Sequence, residues 1–198
     1  MTTAATLPFL AMTAPAAGRD SARAEPAASP RVAADQQRVE QLYLHLERKL
    51  TNVVYRWLWN RDEVRDVIQE AFAQLWQMRD RIDWARAEPL VYRIALNLAA
   101  KRRRSRRLWQ FVTLSHAPTA AATDATDAGD ASAREQAVRS AIDALPERHR
   151  RVLVLAMHAD MTYGEIGDVL GISAGTVGSR RNTAIRLLRG ILEARHAR

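Results

Sequence analysis

Residues 162–189 read TYGEIGDVLGISAGTVGSRRNTAIRLLR, and five of the chain's eight glycines fall inside this stretch. Around them Ile166, Leu170, Ile172 and Val177 keep a helix-like rhythm. A glycine inside a helix costs about 1 kcal/mol relative to alanine, so this many ask for reasons in the backbone, in crowding, or in indifference. Thr162 and Glu165 have the T-x-x-E spacing of a capping box, which starts a short helix. Gly171 follows Leu170 where a left-handed residue most easily ends that helix. Ser173 is placed to cap the next one. Two helices with so short a turn make a helix-turn-helix, and Gly167 falls where the second helix must pass close. That second helix carries the basic run SRRNTAIRLLR, and its first turns suit the major groove. Gly175 and Gly178 lie in those turns, where a missing side chain permits close approach and also removes contacts. Gly164 stays unassigned.

Upstream of this motif the pattern is helical throughout, with no competing strand signal. Val138, Ala141, Ile142 and Leu145 form a stripe that resumes at Arg134, and Pro146 opens the helix holding Val152, Leu153, Leu155 and Ala156. Residues 112–133 contain no Lys or Arg but three aspartates, which predicts a flexible acidic linker and a domain boundary. Before it, Val39, Leu42, Leu46, Leu50, Val53 and Trp57 predict a helix from Gln36 to about Trp59. Val64, Val67, Ile68, Phe72, Leu75 and Trp76 predict a second. A third contains Leu90, Val91, Ile94, Ala95 and Leu98, with Pro89 in its first turn, and runs on into KRRRSRR at 101–107. Residues 1–35, rich in Ala, Pro, Thr and Ser, read as a disordered tail, with Met12 an alternative start. The expectation is an all-α chain of two small helical domains, 36–111 and 134–198, joined by residues 112–133.

Composition narrows the function classes. The formal charge of +8 favours a polyanionic partner, nucleic acid or an anionic surface. Lys49 and Lys101 are the only lysines, which fits either a GC-rich genome or phosphate contacts by arginine. Without cysteine there are no disulfides, thiol nucleophiles or cysteine-ligated metals. Five scattered histidines offer no metal-ligand or acid–base spacing, so no cofactor, metal or catalytic residue is expected. No apolar run approaches the roughly 20 residues that span a bilayer, and the N-terminus makes a poor signal peptide. A soluble cytoplasmic protein without direct membrane insertion is expected.

The segment LPERHRRVLVLAMHADMTYGEIGDVLGISAGTVGSRRNTAIRLLR at 145–189 closely resembles region four of bacterial sigma factors of the extracytoplasmic-function group. EVRDVIQEAFAQLWQ at 63–77 resembles their region two, and YRIALNLAAKRRRSRR at 92–107 looks like its continuation. The resemblance covers about residues 38–192 in the expected order. It implies a monomer that binds core RNA polymerase and promoter DNA, is held by an anti-sigma factor, and catalyses nothing. Region two would melt and read the minus-ten element, and region four would read the minus-thirty-five element.

By this resemblance Asp66, Gln69, Glu70 and Phe72 lie on the helix that docks on the polymerase, although Phe72 also fits a core position. Asn97 matches an asparagine near the single-stranded promoter bases. Trp84, in a loop matching a pocket for a flipped-out base, can stack there or be buried. Arg102, Arg103, Arg106 and Arg107 are phosphate candidates, against the plainer reading of a solvated charge run. In the recognition helix Gly178, Ser179, Asn182 and Thr183 match positions that face bases. Arg180 and Arg181 match phosphate contacts, and Ser173 and Thr176 stand at the helix start. Gly178, where many relatives carry Lys or Arg, and Leu90, in place of an aromatic, depart from the family pattern. The acidic linker resembles the segment that threads the polymerase near its RNA exit path. A stand-alone regulator with the same helix-turn-helix leaves the linker and QEAFAQLW unexplained. An RNA- or membrane-binding protein using KRRRSRR alone leaves residues 145–189 unexplained.

Overall fold

In a computed structural model of the chain, which describes residues 30–114 and 129–196, helix α1 runs from Pro30 to Leu58. Its buried stripe holds Val39, Leu46, Leu50, Val53 and Trp57 as the periodicity predicts, with Val54 added and Leu42 only half-buried. Each such side chain contributes roughly 1.5–3 kcal/mol on burial. The helix starts earlier than expected, so residues 30–35 belong to its first turns and not to a tail. Pro30 stands at the first helical position, where a missing N–H is no loss. Arg31 reaches Asp80 at 3.5 Å, and buried Asp35 accepts a hydrogen bond from Arg38 at 3.1 Å, tying these turns down. Expectations for residues 1–29 lie outside the described residues.

Trp59, in a left-handed conformation at φ 55°, ends α1. Asn60 then caps α2 (Arg61–Gln77), its side chain accepting from the Glu63 amide at 2.9 Å. A single 3-10 turn, Trp84–Arg86, leads into α3 (Ala87–Leu114), whose Val91, Tyr92, Ala95, Leu96 and Ala99 close a three-helix core. Helix α4 (Gly129–Ala144) follows residues 115–128, which lie outside the described residues. Thus 112–114 and 129–133, expected as linker, are helical. Alanine's high helix propensity and an aspartate near the start of α4 suit that extension.

Helices α5 (Glu147–His158), α6 (Tyr163–Leu170) and α7 (Ala174–His196) complete the second unit. The α6–α7 turn is built as its sequence predicts. Thr162 and Glu165 form the capping box, and Gly171 is left-handed at φ 67°. The Ser173 hydroxyl accepts from the Thr176 amide at 3.2 Å. A Cβ on Gly167 would lie 2.5 Å from the Ile172 carbonyl oxygen, so the crowding comes from the turn's own backbone. Ile166 and Val177 are fully buried between the two helices, with Leu170 and Ile172 packed beside them.

Among the described residues there is no strand, and the two helical units are packed together as well as tethered. Val152, Leu155, Ala159, Ile166 and Val169 join one continuous apolar core with α1–α3. A smaller cluster of Leu145, Leu153 and Ala184 pins α5 to α7.

The glycines give a direct check. Gly167→Ala is expected to destabilise the chain by about 1–3 kcal/mol through overpacking against backbone. Gly175→Ala meets nothing within 4 Å and should be neutral or stabilising by up to about 1 kcal/mol. Urea unfolding of both variants reads the difference.

Candidate nucleic-acid interface

The first half of α7 presents the helix-turn-helix face. Ser179 and Asn182 are exposed, while Gly178, Arg180, Arg181 and Thr183 are half-buried. Ser173 and Thr176 are occupied with each other at the start of the helix, their hydroxyls 2.9 Å apart, and set where it begins. Position 178 is covered from α6, since a Cβ there would meet the Tyr163 ring at 3.4 Å. Tyr163 is 41% exposed, and sequence reasoning passed over it. His149 of α5 braces the helix from behind, its Nδ1 3.3 Å from the Arg180 carbonyl oxygen.

The basic stretch of α3 is engaged within the protein. Arg102 donates to the Glu63 carbonyl at 3.1 Å and pairs with Asp66 at 3.4 Å and Glu70 at 3.3 Å. Arg106 pairs with Glu63 and reaches the Leu58 carbonyl at 3.4 Å. Arg103 donates to the Asp143 carbonyl at 2.6 Å. The Arg107 side chain lies outside the described residues. Arg102, Arg103 and Arg106 are therefore each engaged by the protein, the first and last by the acidic edge of α2 and Arg103 by Asp143 of α4. On that edge Asp66 and Gln69 are exposed and Glu70 is half-buried. Phe72 is a correction: it is 2% exposed and packs edge-on against Tyr43 with centroids 5.1 Å apart. It belongs to the core and cannot present a docking surface. Trp84 is half-buried, with the Arg38 guanidinium 5.6 Å from its ring centroid. Asn97 is an exposed residue whose Oδ1 accepts from Arg151 of α5 at 3.0 Å.

Contacts between the two units centre on Arg150, which is fully buried. Its guanidinium donates to the Arg56 and Trp57 carbonyls at 2.9 and 3.1 Å and sits 2.7 Å from Asp143. It also stacks 4.5 Å from the Trp57 ring centroid. Arg139 donates to the Trp59 carbonyl at 2.8 Å. Trp59 donates its indole N–H to Asp143 at 3.3 Å. At the other end of the interface Arg93 of α3 donates to the Asp168 and Val169 carbonyls at 2.6 and 2.9 Å. Sequence reasoning named none of the three arginines, Arg93, Arg139 and Arg150. The available signal was that Arg150 shares the apolar helix face of Leu153 and Val154.

Glu165 is held below the usual carboxylate range because the Thr162 amide and hydroxyl both donate to it. Burial pushes the Tyr92 hydroxyl up, with Glu88 and Asp160 adding to the effect. Burial lowers His158, and the nearby Arg56 charge lowers it further. Among the described residues no group of three or more His, Asp or Glu is placed to hold a metal ion. Nor is any described helix long and apolar enough to cross a membrane.

The family model for Sigma-70 region 2 matches residues 42–108, and that for Sigma-70, region 4, matches residues 141–190. The chain is 32% identical over 152 residues to the ECF RNA polymerase sigma factor SigW of Bacillus subtilis, covering 71% of this chain and 81% of the relative. It is 29% identical over 133 residues to the ECF RNA polymerase sigma factor SigL of Mycobacterium tuberculosis, covering 66% and 75%. Its fold resembles that of CnrH, solved in complex with the cytosolic domain of CnrY, with a TM-score of 0.60 and 24% identity over 82% of this chain and 92% of that one. RpoE of Bartonella quintana, solved with the anti-sigma factor NepR, gives a TM-score of 0.58 and 19% identity over 78% and 96%.

A pH dependence follows from His158. An unfolded chain takes up this proton near pH 6.5, whereas the folded chain resists it. As pH falls through that value the unfolded state binds more protons, so stability drops, and it levels off above. The urea midpoint should fall between about pH 7 and about pH 5.5, and His158→Gln should flatten that part of the profile.

Proposed function

The chain belongs to the extracytoplasmic-function group of RNA polymerase sigma factors, which direct promoter-specific transcription, and from that premise we propose a division of labour between its two units. The unit α1–α3 binds core polymerase and reads the melted minus-ten element, while α4–α7 reads the duplex minus-thirty-five element. The observation that carries this reading is the capped helix-turn-helix, with Ser179 and Asn182 exposed in the first half of its second helix. A recognition helix enters the major groove by that end. Ser179, Asn182 and Thr183 face base edges, Arg180 and Arg181 face phosphates, and Ser173 and Thr176 fix the start of the helix. Gly178 offers no side chain, so the readout shifts to its neighbours.

On the other unit, Asp66, Gln69 and Glu70 form the docking edge for polymerase, and Phe72 supports that helix from within. Asn97 supplies an amide to an unpaired base edge, with Trp84 near the same loop. Arg102, Arg103, Arg106 and Arg107 reach phosphates, and the first three do so by exchanging their present partners. The protein works in the cytoplasm as a monomer, binding without catalysing a reaction. CnrH and RpoE are each solved with a partner, the latter's an anti-sigma factor. We extend that to this chain as control by an anti-sigma protein.

Run-off transcription on fragments of the source genome tests the reading. Discrete transcripts are expected only when core polymerase and this protein are both present. Tight duplex binding by the protein alone, without polymerase-dependent initiation, would instead make it a self-sufficient regulator. On a promoter so mapped, Asn182→Ala should reduce initiation by roughly tenfold, in keeping with about 1–3 kcal/mol for a good base contact. Asn97→Ala should spare duplex binding and slow strand opening.

A further inference from the structure

The base-facing side of α7 is not made by α7 alone. Positions 178 and 182 lie one helical turn apart on the same face, with position 179 beside them, and Ser179 and Asn182 are exposed. Gly178 on that face is half-buried, although it has no side chain of its own. What covers it is the Tyr163 ring, whose Cε2 and Cδ2 would lie 3.4 and 3.7 Å from a Cβ at that position. Outside the local helix backbone nothing else comes within 4 Å of that point. The ring therefore stands where a side chain from position 178 would run, and Tyr163 remains 41% exposed. Its backbone is held in place, because Tyr163 opens α6 directly after Thr162, which caps the helix together with Glu165. A tyrosine has only two side-chain torsions to fix, so the ring is a rigid contact surface at small entropic cost.

We propose that Tyr163 is a specificity-determining residue of the minus-thirty-five site, its ring reading the 5-methyl group of a thymine. This rests on the assignment of the first half of α7 to the upstream duplex, and it deepens that assignment by naming a base and the residue that recognises it. In the major groove each base pair shows its own donors and acceptors, and thymine adds a methyl group that an apolar surface can contact. Ser179 and Asn182 bring hydrogen-bonding groups to this face, and Gly178 brings nothing. The Tyr163 ring is the large apolar surface beside them, although it comes from the other helix of the motif. Because position 178 carries no side chain, the helix backbone also approaches the base more closely beside the ring. Contact between one methyl and one ring is worth about fourfold in affinity. That is enough to favour an A·T pair at a single position without dominating the binding. A phosphate contact by the Tyr163 hydroxyl is the competing role, and it would carry no sequence preference.

The test uses core polymerase with the full chain, on a promoter mapped by run-off transcription. Each thymine of its upstream element, on either strand, is replaced singly by deoxyuridine, which removes the methyl group and leaves every donor and acceptor. With the unaltered protein, one such replacement is expected to weaken promoter binding by about fourfold. Tyr163→Phe should keep that sensitivity, because the ring remains. Tyr163→Ala should lose it and bind both duplexes about equally. Gly178→Arg should lose it as well, since a long side chain there must take the place of the ring. Each variant is read as a ratio between two duplexes, so a general loss of stability cancels. An upstream element without an A·T pair overturns the proposal, and so does one whose thymines all tolerate the replacement. Sensitivity that persists in Tyr163→Ala gives the methyl to another residue, and equal weakening by Tyr163→Phe and Tyr163→Ala on every duplex gives the hydroxyl to a phosphate. Either result overturns it. Failure of the functional reading shows separately, as no polymerase-dependent transcript from any fragment, and takes this proposal with it.

Discussion

A helix that ends inside a protein must find partners for its last carbonyls, and the C-terminus of α1 is the point where that constraint shapes this molecule. Arg150 takes the carbonyls of Arg56 and Trp57, Arg106 takes that of Leu58, and Arg139 takes that of Trp59. Cations also suit this end of a helix dipole. Two of the three arginines come from the C-terminal unit, so finishing α1 and docking the two units are one event. The left-handed Trp59 turns its indole toward Asp143, which also pairs with Arg150 and Arg103. The apolar contacts of Val152, Leu155 and Ile166 with the α1–α3 core then form around a polar centre.

The same economy governs the basic stretch of α3. Dense positive charge on one helix repels itself, and in this fold Glu63, Asp66 and Glu70 of α2 relieve that repulsion. These pairs are half-exposed, so each is worth little in stability, and a phosphate can compete for the arginine. On the proposed function, nucleic-acid affinity arises by exchange of partners. The acidic edge meanwhile becomes more available to a basic surface whenever DNA takes the arginines, which couples the two proposed binding events in physical terms.

Local signals were legible in the sequence and distant ones were not. The capping box at Thr162 and Glu165, the left-handed Gly171, the Ser173 cap and the crowding at Gly167 all act within a few residues of themselves, and each stands where its residue type requires. Phe72 shows the limit of motif matching: a family position does not say which way a side chain faces, and the Tyr43 ring decides that. The early start of α1 at Pro30 brings Arg31 to Asp80, about fifty residues away, a contact that no periodicity reports. Least legible was the docking of the units. Many of its acceptors are backbone carbonyls, which every residue carries, and its donor Arg150 contacts Trp57 from a sequence distance of 93 residues.

The claim that an arginine-to-carbonyl interface holds the two units together in the free protein is open to one direct measurement. The chain has no cysteine, so spin labels on His45→Cys in α1 and Arg186→Cys in α7, both exposed residues, report the distance between units without background. A single narrow distance is expected in the free protein, giving way to a longer one when Arg150→Met is added to the labelled pair. A broad, long distribution in the free protein, unchanged by that substitution, would contradict the account.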